Sequence, residues 1–72
     1  MKVHHFSTNS MFVTVVEGSD GKLNYLVRYP NKEMKKVRGN RIEDFVDKIC
    51  NRMWELTNGE TITYTVRGCL LQ

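Results

Sequence analysis

Several things are scarce in this chain, and each scarcity removes a class of function. There is one proline, Pro30, and there are two cysteines, Cys50 and Cys69, with no CxxC or cysteine–histidine spacing. A zinc site or a dithiol redox pair is therefore not expected, and neither is a disulfide-built secreted scaffold; two isolated thiols suit a reducing compartment. The only histidines are His4 and His5, adjacent in sequence. A nucleophile–base pair needs a base held in place by a third group, so two neighbouring histidines in a loose tail offer no triad. No P-loop, GxGxxG or HExxH motif is present. No apolar run approaches the ~18 residues of a membrane span, and the first residues lack the apolar stretch of a signal peptide. The expectation is a soluble, cytoplasmic domain that is not an enzyme, with no cofactor, no metal and no membrane attachment.

What is present is a strong internal polarity. Residues 28–41 hold six basic side chains (Arg28, Lys32, Lys35, Lys36, Arg38, Arg41) against one acid, Glu33, which makes +5. The rest of the 72 residues sums to −2, so the formal +3 hides the segment. A concentrated positive field accelerates encounter with acidic partners.

The local patterns predict an α+β fold: a small, mostly antiparallel sheet of three or four strands with one helix packed on one face, in the order ββ(β)αβ. Residues 1–10 show no sustained period and are expected to be a flexible tail, with at most a short strand around Val3–Phe6; residues 11–72 form the single domain. Met11 to Glu17 is rich in β-branched residues and reads as a strand. Asp20-Gly21 signals a tight hairpin turn into a second strand, Leu23 to Tyr29, which Pro30-Asn31 ends. Glu33 to Arg38 reads as a short third strand. Asn40, with Glu43 three residues on, has the spacing of a capping box. Ile42, Phe45, Val46, Ile49, Met53 and Leu56 follow at helical intervals. Asn58-Gly59 supplies the stop, and Glu60 to Cys69 alternates as a last strand.

A two-residue loop at Asp20-Gly21 sets a register in which Val16 faces Tyr25, Thr14 faces Val27 and Phe12 faces Tyr29. Those residues, with Leu23, Ile62, Tyr64 and Val66, are expected beneath the helix. Val13, Val15, Leu26 and Arg28, with Thr61, Thr63, Thr65 and Arg67, then form an open face. A one-residue slip would exchange the two faces.

Three features could meet a partner. The open face would offer apolar contact through Val13, Val15 and Leu26, with Arg28 and Arg67 at its edge. The basic segment, through Lys35, Lys36 and Arg38, suits an acidic protein surface or nucleic-acid phosphates; the plainer alternative is that its lysines solvate an edge strand. Trp54 lies off the centre of the apolar helix face in a stripe with Glu43, Asp47 and Cys50. It is expected to close the edge of the core; the alternative is an exposed anchor, since tryptophan is enriched among binding hot spots. The expected activity is that of a binding module that docks on and blocks a host protein with an acidic surface. Direct nucleic-acid binding through residues 28–41 is the alternative, and self-association through the open face is a third.

The arrangement of hairpin, single capped helix and final strand, ending in Val66-Arg67-Gly68-Cys69, resembles small phage-encoded inhibitors of host machinery. It is most similar to the small RNA polymerase inhibitors of T7-like coliphages, which end in a Val-Arg-x-Cys sequence. The likeness of arrangement covers Met11 to Cys69. It implies a phage or mobile-element origin, a target in host transcription or defence, and a docking role for Arg67. The long basic stretch from Lys32 to Arg41 departs from that pattern and leaves the target open.

Overall fold

A computed structural model describes residues 2–18, 26–39 and 41–68, and the backbone but not the side chain of Leu26. Among the described residues, four strands, a 3-10 helix and one α-helix follow one another: β1 (Lys2–Ser7), β2 (Phe12–Glu17), β3 (Leu26–Arg28), the 3-10 helix (Lys32–Lys36), α1 (Ile42–Leu56) and β4 (Thr63–Gly68). The strands make one sheet in the order β3-β2-β1-β4, with every neighbouring pair antiparallel. This is the expected α+β class with a single helix.

The first correction concerns the chain start. Residues 2–7 are no tail: β1 is an inner strand, paired with β2 on one side and β4 on the other. Its helix-side residues, His4 and Phe6, are 4% and 1% exposed. Phe6 stacks on Tyr64 with ring centroids 4.6 Å apart. The turn into β2 is held locally, with Thr8 N–H donating to Met11 O at 2.8 Å and Met11 N–H to Thr8 Oγ1 at 3.1 Å.

The second correction is one of register. Thr14 pairs with Arg28, Val15 with Val27 and Val16 with Leu26, one residue away from the expected alignment. Because side chains alternate across a strand, that slip exchanges faces on β2. Val13 and Val15 are buried beneath the helix at 1% and 0% exposure, whereas Phe12 is 59% exposed on the opposite side. The hairpin turn at Asp20-Gly21, Leu23 and Tyr25 lie outside the described residues.

Third, the strand expected at 33–38 is a 3-10 helix. Asn31 Oδ1 accepts from Glu33 N–H at 2.8 Å and caps it. Met34 and Val37 then fall three apart, the 3-10 repeat, with Met34 fully buried and Val37 packed at the core edge. A strand would have turned one of the two outward.

The α-helix follows its pattern closely. Phe45, Ile49 and Met53 are buried, and Ile42, Val46, Cys50 and Leu56 flank them. It starts one residue later than the capping-box spacing suggests: Arg41 holds the cap position with no side-chain cap bond, and Asn40 lies outside the described residues. Glu43 and Asp44 occupy the first turn, where the helix dipole favours acids. The stop at Asn58-Gly59 is as expected. Asn58 has φ 57° and Gly59 φ 90°, while Gly59 N–H donates to Trp54 O at 2.9 Å and Asn58 N–H to Glu55 O at 3.4 Å. Those are the two bonds of a Schellman ending. The last strand is shorter than expected, beginning at Thr63; Cys69 lies outside the described residues.

Phe6, Met11, Val13 and Val15 from the sheet, Met34 from the 3-10 helix, and Phe45, Ile49 and Met53 from α1 make one core. The helices cover β1, β2 and β3 more fully than β4, whose Tyr64 and Val66 are 39% and 46% exposed although they face the helix side.

Candidate docking surfaces

Three surfaces follow from that framework: a basic groove on one flank of α1, a mixed apolar and acidic groove on the other, and the open side of the sheet.

The basic groove runs between the 3-10 helix and α1. Buried Met34 draws the 3-10 helix against the core, and Arg52 Nη2 fixes it to α1 by bonding Glu33 Oε2 at 3.0 Å. Arg52 also reaches Glu55 at 3.5 Å, and Lys36 Nζ stands 3.1 Å from Glu33. Lys36, by hydrogen bond and by charge, and then Arg52, hold the Glu33 carboxyl below its ordinary pKa. Beyond these pairs lies a groove of about 400 Å³ lined by Lys36, Val37, Arg38, Lys48, Asn51, Arg52 and Glu55. Four of those side chains are cationic and one is anionic. Neither Arg38 nor Lys48 takes part in an ion pair among the described residues, so their field is not cancelled within the groove. Lys32 and Lys35 are exposed on the same 3-10 helix.

The opposite flank of α1 faces β4. Here His4, Ile42, Glu43, Val46, Asp47 and Tyr64 line a groove of about 310 Å³. At its floor His4 Nε2 lies 3.3 Å from Glu17 Oε2 and Nδ1 lies 2.7 Å from Tyr64 Oη. A carboxylate can only accept, so in the neutral ring Nε2–H donates to Glu17 and Nδ1 accepts from the Tyr64 hydroxyl. The expectation of solvated tail histidines therefore fails for His4, which is buried with both ring nitrogens satisfied; His5 is exposed on the other side of β1. Burial, and then the charges of Cys50 and Glu17, push the Tyr64 phenol above its ordinary pKa. Through the His4 bonds the Tyr64–His4–Glu17 chain ties β4, β1 and β2 together. Trp54 does not close the core edge. It is 60% exposed, its indole lying over the helix ending so that a Cβ at Gly59 would stand 3.6 Å from Nε1.

On the open side of the sheet, Arg28 pairs with Thr14, which pairs with His5 and through it with Thr65; Arg67 pairs with Val3. Arg28 and Arg67 thus share this face as expected, but on opposite edge strands, three strand spacings or about 14 Å apart across the sheet. The apolar centre expected there is different. Val13 and Val15 are removed to the core, Leu26 is placed only by its pairing with Val16, and exposed Phe12 takes the open position.

Comparison with protein-family models, curated proteins and solved structures finds no match. What the surfaces can do is therefore argued from their own chemistry.

Of the residues singled out from the sequence, Lys36 and Arg38 come together in the basic groove, with Lys35 beside them. Arg28 and Arg67 stand apart from it and from each other, and Trp54 sits on the other flank of the helix. Lys48 and Arg52 complete the groove and were not among the expected site residues. Their signal was available: positions 48, 51, 52 and 55 share one helix flank by 3.6-residue geometry, on the side away from the Trp54 stripe.

Proposed function

We propose that this chain is a non-enzymatic binding module that docks on and blocks a macromolecular partner, using the basic groove of Lys36, Arg38, Lys48 and Arg52 against an acidic surface. The observation that supports this reading is positive charge that no ion pair among the described residues cancels. Arg38 and Lys48 line a groove whose shape is fixed by the buried Met34 and the Arg52–Glu33 bond. Charge arranged in this way steers association and sets register, and its effect on the rate of encounter weakens steeply with salt. The resemblance to phage inhibitors makes host transcription or defence machinery the target class, and a cytoplasmic setting goes with it.

Nucleic acid is the second reading, and Phe12 is the observation that favours it. Sheet surfaces that bind single strands combine cations with exposed aromatics on which bases stack, and Phe12 stands open on the same face as Arg28 and Arg67. A tagged pulldown from bacterial lysate, run with and without nuclease, separates the two. A stoichiometric protein that survives nuclease, and is lost with Arg38→Glu/Lys48→Glu, supports the blocking module. Signal that vanishes with nuclease transfers the assignment to nucleic acid.

A further inference from the structure

The two edges of the sheet are built differently. β3 runs within two residues into Pro30, and proline is an ordinary means of blunting an edge. β4 is six residues long, Thr63–Gly68, with every residue exposed, no proline and no lysine. Among the described residues, its outer side has no neighbouring strand. A row of unpaired N–H and C=O groups on such a strand is a template for another chain.

The flank of α1 that overhangs this edge carries the groove of His4, Ile42, Val46 and Tyr64, with Glu43 and Asp47 on its rim. Glu43 and Asp47 stand one helical turn apart and take part in no ion pair among the described residues. Trp54 on α1 and Val66 on β4 are further exposed apolar side chains, at 60% and 46%. We propose that the β4 edge and this groove together receive an extended segment of a partner protein, which adds to the sheet as a fifth strand, places apolar side chains in the groove and sets a Lys or Arg against Glu43 and Asp47. This surface is separate from the basic groove, and the proposal does not depend on the function assigned to that groove.

The occupant follows from geometry and charge. A strand added to β4 lies about 4.8 Å outside it, and alternate side chains of that strand point toward the helix side, beneath the stripe of Glu43, Asp47 and Trp54. Main-chain bonds to the edge give affinity, and the alternate pockets give specificity. Two unpaired carboxylates on an apolar rim select a cation among those alternate positions. The basic groove on the other flank of α1 repels the same segment and leaves this side as the favoured approach. A second copy paired β4 to β4 with both helices on one side of the joined sheet is a poor occupant: it brings Tyr64 and Val66 to that side, and neither offers a cation to Glu43 and Asp47.

The experiment is selection of displayed random peptides against the full chain, repeated against Glu43→Lys/Asp47→Lys. One selected peptide is then titrated into the isotope-labelled protein while amide exchange is followed. The expected selectants alternate aliphatic residues with Lys or Arg. Their affinity falls about tenfold or more in the charge-reversed protein, from two exposed pairs turned repulsive, and alternate β4 amides gain protection on binding. The exchange measurement on the unmodified chain stands even if the double variant folds poorly. The proposal is overturned by failure to enrich peptides, by acidic selectants, by binding indifferent to the charge reversal, or by protection confined to other elements. Concentration-dependent protection of β4 without peptide would also overturn it, in favour of self-association.

Discussion

Replacing Val15 by alanine tests the register of the sheet against the alternative one residue away. Val15 is fully buried, paired with His4 on one side and Val27 on the other; Val16, its neighbour in sequence, is half-buried on the opposite face. Val→Ala removes two carbon groups at about 0.8 kcal/mol each, or about 1.6 kcal/mol of transfer free energy. Closely packed neighbours relax only partly, so the residual cavity raises the cost to about 2–3 kcal/mol. At about 0.05–0.15 kcal/mol per residue, a chain of 72 residues has roughly 4–11 kcal/mol in all, so this loss is a large share of it. Each kcal/mol moves the melting temperature of a domain this size by about 4–8 °C, which gives a fall of roughly 10–20 °C for Val15→Ala. Val16→Ala, which opens no enclosed cavity, is expected to cost under about 1 kcal/mol. Urea and thermal unfolding of both variants, followed by circular dichroism, make the comparison. Equal losses, or a larger loss for Val16→Ala, would refute the register and put Val16 beneath the helix.

Three further outcomes are expected. Bonds from the Thr8 and Ser10 side chains, and from the Ser10 and Asn9 backbone, hold the Glu60 carboxyl below the ordinary value of 4.5. A depressed folded-state pKa contributes stability above the unfolded pKa and loses it as pH falls through the folded one, so the acid limb of a urea-midpoint series below about pH 4.5 should be shallower in Glu60→Gln. Gly59→Ala places a Cβ at φ 90°, and although its contact with Trp54 is ordinary, left-handed backbone costs an L-residue about 1–2 kcal/mol; thermal melts should show that loss, whereas Asn58→Gly should hold or gain stability.

The helix, its stop and the fold class were legible because each rests on a local signal. Apolar side chains at 3.6-residue spacing and an Asn-Gly pair need no information from distant chain. The strands were less legible because β2 is apolar on both faces: Phe12 and Val16 on one side match Val13 and Val15 on the other, so alternation alone does not choose. The choice is made by β1, whose own pattern was obscured. Its core positions are His4 and Phe6, and a histidine reads as solvent-facing until Tyr64, sixty residues on, and Glu17 are found to satisfy it. The 3-10 helix was misread for a different reason. Asn31 ahead of Glu33 is a capping signal, but a segment of five residues with one buried side chain, Met34, carries too few apolar positions to establish a period. At the candidate surfaces the basic segment was visible as composition, whereas its docking against Lys48 and Arg52 depends on the burial of Met34, a tertiary contact.

The place of β1 in the middle of the sheet also fixes an order in time. Lys2 lies opposite Gly68, and Ser7 opposite Thr63, so the first of these four strands to be made acquires its second neighbour from the last of them. During synthesis β1 can pair with β2 early, by a short local closure, but the side that β4 will occupy stays bare until Thr63–Gly68 has left the ribosome. Closing a loop of that length precedes any gain from the contacts it brings, which favours slow folding for so small a domain. Until β4 arrives, the nascent chain exposes at β1 an edge carrying Phe6 and Val3, and protection of that edge against other nascent chains falls to the cell rather than to the sequence.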